Sequence, residues 1–103
     1  MTIEELKDEV EKAGYNVKID WFGFLGAAFQ VIIFEKSISI DMVRMSLSLR
    51  GWIVKKEKVG RRERGDVWRY FVLEKNKVEV ELQPLLFCNV TLNLKRYNLQ
   101  EGD

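Results

Sequence analysis

The chain has 103 residues, 47% hydrophobic and 32% charged, with 17 basic and 16 acidic side chains, a net charge of +1 and no histidine. That length matches one domain, residues 1–103, able to bury a core without metals or disulfides. The balance excludes a disordered chain, no apolar run reaches the ~18 residues a bilayer span needs, and the acidic start lacks the basic-then-apolar order of a secretory leader.

Thr2 to Ala13 reads as a helix: Thr2 and Glu5 fit a capping box, and Ile3, Leu6, Val10 and Ala13 form one apolar stripe. Gly14 is placed to end it. The period then changes to two. Tyr15, Val17, Ile19 and Trp21 alternate with Asn16, Lys18 and Asp20, and a β-rich stretch follows over residues 15–95. Gly23 to Gly26 is an apolar turn region, and Ala27 to Phe34 is an almost unbroken apolar run suited to a strand covered on both faces.

Residues 37–50 allow two readings. On a helical wheel Ile40, Met42, Val43, Met45, Leu47 and Leu49 scatter and make no single stripe. As a strand they alternate with polar residues, with one phase slip near Met42 and Val43 that a bulge explains. The spacing favours the bulged strand; the alternative is a helix over 39–50. Downstream, Trp52–Val59, Val67–Glu74, Lys77–Gln83 and Leu86–Leu94 read as antiparallel strands, with a loop from Gly60 to Asp66 and a frayed tail over 98–103. The expected fold is α+β: the N-terminal helix packed on a curved antiparallel meander of six or seven strands. The alternative is a two-helix α+β sandwich.

The chemistry available is limited. Without histidine the chain has neither the usual base near neutral pH nor the usual metal ligand. The single cysteine, Cys88, permits no internal disulfide, cannot build a zinc site from thiolates, and falls on an inward strand position. Glu79 and Glu81 share a strand face but read as its wet side. A non-enzymatic protein without metal or cofactor is expected, with no membrane role and an intracellular location. Ten lysines and eleven glutamates give a composition like that of hyperthermophile proteins.

Charge is unevenly spread. Nine basic and three acidic residues between Arg44 and Arg69 give that segment +6, while the rest of the chain carries −5. Lys55, Lys56, Lys58, Arg61, Arg62, Arg64 and Arg69 form a candidate track for a polyanion such as DNA or RNA, or for an acidic protein. Trp52, Trp68 and Tyr70 are candidate stacking platforms for bases. Arg50-Gly51-Trp52-Ile53-Val54 followed by a basic hairpin resembles the wing of a winged-helix domain; no helix–turn–helix precedes it, so neither fold nor residues carry over. A second candidate surface is the apolar corner at Phe22, Phe24 and Leu25, where a homodimer contact is expected.

Overall fold

The computed structural model describes residues 1–35, 38–61, 63, 65, 67–84 and 90–94, except the side chains of Phe24 and Ala27. The expected tail at 98–103, Cys88 and the 86–89 start of the last expected strand lie outside these residues. The elements run α1 (Ile3–Lys12), β1 (Val17–Phe24), β2 (Ala27–Phe34), α2 (Ile40–Leu49), β3 (Ile53–Arg61), β4 (Val67–Lys75), β5 (Val78–Pro84) and β6 (Val90–Leu94). The six strands form one antiparallel sheet in the order β1-β2-β6-β5-β4-β3. No helix among the described residues is long and apolar enough to cross a membrane.

The expectation of a plain meander is corrected in two places. Residues 40–49 are a helix, capped by the Ser39 side chain, which accepts from the Met42 amide at 3.5 Å. The meander therefore holds only for β3 to β6, and β2 pairs with β6, joining Ile32 to Leu92 and Ile33 to Thr91. Scatter on the helical wheel has a physical cause. α2 carries two apolar stripes on opposite sides. Val43 and Leu47 are buried with Ile40 beside them, whereas Met42, Met45 and Leu49 are exposed. A segment apolar on two sides mimics strand alternation.

α1 matches its sequence signals. Thr2 caps it, Glu5 closes the capping box and is held below its ordinary carboxyl pKa by hydrogen bonds with Thr2, and Ile3, Leu6 and Val10 are buried. These side chains share one core with Val43 and Leu47 of α2, Ile32 and Phe34 of β2, and the alternate residues Phe71, Leu73, Val80, Leu82 and Leu92. Those strand residues define a helix side of the sheet; the residues between them define an outer side. Tyr15 joins the layers: its hydroxyl is 2.8 Å from Ser46 Oγ and donates to the Met42 carbonyl at 3.2 Å.

Trp52, just ahead of β3, is 1% exposed within this core. Its Nε1–H donates to Glu9 Oε1 at 3.0 Å, and the same oxygen accepts from Lys75 Nζ. Burial pushes the Glu9 pKa up, but the hydrogen bonds from Lys75 and Trp52 outweigh it and leave it below the ordinary value. This junction clasps α1 to the β4–β5 end of the sheet.

Candidate ligand-binding face

Strand register sorts the hairpin side chains by face. Phe71 pairs with Glu57 and Arg69 with Val59, so Glu57 and Arg69 lie on the helix side. Tyr70 pairs with Lys58, Val72 with Lys56 and Trp68 with Gly60, so these lie on the outer side. β3 extends through Arg61, so Gly60 belongs to the strand and not to the loop expected there.

The Trp68–Gly60 pair explains the glycine. A Cβ placed on Gly60 would sit 2.2 Å from Trp68 Cε2 and Cζ2, so the indole occupies the space a side chain would fill. The seated Trp68 is followed two residues later by Tyr70, and both are half-buried. Lys58, Trp68, Tyr70, Gln83 and Pro84 line a shallow groove of about 350 Å³. Lys58 Nζ stands 6.0 Å from the Tyr70 ring centre, within cation–π range.

Beside the groove, on the same side of the sheet, is a polar network. The Tyr70 hydroxyl donates to Glu81 Oε2, and Asn93 Nδ2 donates to Glu81 Oε1 at 3.2 Å. Gln83 Nε2 donates to Asn93 Oδ1 at 3.3 Å, and the Thr91 hydroxyl to the Gln83 carbonyl at 3.2 Å. Asn93 and Thr91 are buried, and the network holds the Tyr70 hydroxyl through Glu81 on the same side of the sheet. Burial, then the Glu81 carboxylate, pushes the Tyr70 pKa up, so the phenol remains a proton donor. Glu81 is thereby held as an acceptor, which the sequence did not indicate.

The expected basic track is only partly assembled. Lys55 pairs with Glu74 at 3.6 Å. Arg69 faces away from the groove, bound to Glu57 at 3.5 Å and Asp41 at 3.6 Å. Lys56, Lys58 and Arg61 have no ion pair among the described residues, while Arg62 and Arg64 lie outside them. Trp52 is removed from the stacking set by its burial in the core. At the other candidate surface, Phe22 is half-buried, its ring edge-on to Phe29 with centroids 6.4 Å apart; Leu25 is 90% exposed in the turn, and the Phe24 side chain lies outside the described residues.

A second depression runs beside α1, lined by Glu5, Asp8, Glu9, Lys12, Arg50 and Lys75. Its lining includes the Glu9–Lys75 contact that closes the clasp at Trp52. Among the described residues no cluster of His, Cys, Asp and Glu side chains could hold a metal ion. No protein-family model, curated protein or solved structure matches the chain.

Proposed function

We propose that the protein is a non-enzymatic binding module for single-stranded nucleic acid, which lies across the outer side of the β3–β4 hairpin. What carries the reading is the grouping of Trp68, Tyr70 and Lys58 around one shallow groove, with the indole seated over Gly60. Two aromatic side chains on the same strand face, two residues apart, suit successive bases, because every base has a π-face. Lys56 and Lys58 lie on the same face as the rings and suit the phosphates, whereas Arg61, paired with Val67, lies on the face of Arg69; Arg62 and Arg64 follow in sequence. A duplex buries its base faces, so a groove that works by stacking favours unpaired strands.

The test is fluorescence anisotropy with labelled single-stranded DNA, single-stranded RNA and duplex DNA at two salt concentrations. Single strands are expected to bind more tightly than duplex. Two phosphate contacts, from Lys56 and Lys58, predict a salt slope of about −1.4 on logarithmic axes. Trp68→Ala should weaken binding roughly fivefold to a hundredfold, the span of ~1–3 kcal/mol per stacked base. Arg69→Ala, on the opposite face, should leave affinity unchanged. Absence of binding at low salt overturns the reading; duplex binding insensitive to Trp68 replaces stacking with simple charge attraction.

A further inference from the structure

β1 is one of the two edges of the sheet. It pairs with β2 at every position from Val17 to Phe24 without a register shift. Leu25 (φ 51°) and Gly26 (φ 81°) form the intervening turn, both in the left-handed region. Two such residues make a type I′ turn, and the flanking pair, Phe24 and Ala27, then exchanges both backbone hydrogen bonds. Alternation along the ladder gives the even positions to β2 and turns the N–H and C=O groups of Val17, Ile19 and Trp21 outward. A second observation agrees: the Trp21 amide donates to Asp20 Oδ1 at 2.8 Å.

The sequence along that outward edge is self-complementary. About Ile19, Val17 and Trp21 are mirrored as apolar residues, and Lys18 and Asp20 as opposite charges. We infer that β1 pairs antiparallel with β1 of a second copy of this chain, about a two-fold axis through Ile19, forming a continuous sheet across the dimer. Ile19 meets Ile19 with their outward backbone groups facing. Val17 meets Trp21 on the helix side. Lys18 meets Asp20 on the outer side, twice over, because the contact is isologous. No other antiparallel register sets both charged residues against opposite charges; centring on Asp20 sets like against like, which is destabilising.

The side chains are available for this role. Trp21 is 62% exposed, and the Lys18 and Asp20 side chains are 71% and 48% exposed. Within one chain Lys18 and Asp20 contact each other at only 3.9 Å, an exposed pair that readily exchanges for the facing one. On pairing, the Trp21 amide passes from Asp20 to the Val17 carbonyl of the second copy. The opposite edge is unsuited to such pairing. β3 has a register shift between Val54 and Lys56, and Lys55, Lys56 and Lys58 crowd it. Bulges and lysines are the usual guards against strand addition.

The experiment is light scattering coupled to size exclusion, with sedimentation equilibrium from micromolar to millimolar concentration. The wild-type chain is expected to dimerise. Lys18→Asp and Asp20→Lys each set like charges opposite one another and should yield monomers. The double variant Lys18→Asp/Asp20→Lys restores opposite charges and should recover the dimer. Ile19→Pro removes an outward amide that β2 does not use and should also give a folded monomer, with circular dichroism reporting the fold. A wild-type monomer throughout the range overturns the inference. So does a dimer that survives both single charge changes, which would place the contact elsewhere, such as the exposed Met42, Met45 and Leu49 stripe. Nucleic-acid binding uses the other edge, so either result leaves that reading independently testable.

Discussion

The two edges of the sheet handle exposed backbone in different ways. At β3 the edge is bulged, lined with lysines and anchored at its start by a buried tryptophan. At β1 the ladder is regular, and the tryptophan beside it is exposed. The three tryptophans separate these regimes: Trp52 holds an edge in place, Trp68 covers a glycine on it, and Trp21 stands largely exposed on the other edge. An aromatic residue therefore has no fixed meaning in this fold; its face and its neighbour across the ladder decide its role.

Substitutions sharpen the contrast, beginning with the largest expected effect. Trp52→Ala removes a fully buried indole and one of the two donors to Glu9, so it should cost about 3–5 kcal/mol, read as a lowered urea midpoint. Gly60→Ala forces the Trp68 indole from its seat and should cost about 1–3 kcal/mol by overpacking, with a change in tryptophan emission. Trp21→Ala, measured at concentrations where the chain is monomeric, should alter stability by no more than about 0.5 kcal/mol. If Trp21 proves as costly as Trp52, the contrast between the edges fails.

The clasp at Trp52 adds a pH dependence. Folding lowers the Glu9 pKa from an ordinary value of 4.5, so its stabilising contribution is fully present above that value. It is lost as pH falls through the lower folded value. Glu9→Gln should therefore destabilise at pH 7, and its difference from wild type should shrink at pH 3, measured by urea unfolding at both pH values. A difference that stays constant would show that the carboxylate charge contributes nothing to the clasp.

Local periodicity carried much of this structure. The capping box and single stripe of α1 were readable, as were the alternating strands from Trp52 onward. α2 was not, because its second stripe of Met42, Met45 and Leu49 is apolar without being buried. Periodicity reports hydrophobicity, and it equates to burial only when a helix has one apolar side. Trp68, Tyr70 and Lys58 shared a face by simple alternation, whereas Arg69 should have been excluded by the same count. Trp52 departs from the expected exposure for a different reason. Its partner Glu9 is on α1, and nothing local in the sequence announces a contact across so long a separation. Gly60 has the sequence character of a loop residue, and nothing in the sequence pairs it with Trp68.

The junction of β2 with β6 has a kinetic consequence. β1–β2, β3–β4 and β4–β5 join neighbours in sequence, and hairpins of this kind form in microseconds. Ile32 pairs with Leu92 although most of the chain lies between them in sequence. Closing that distance carries a large loop entropy, so this seam is expected to zip last and open first. Weakening it, as with Ile32→Val, should accelerate unfolding while leaving the folding rate almost unchanged.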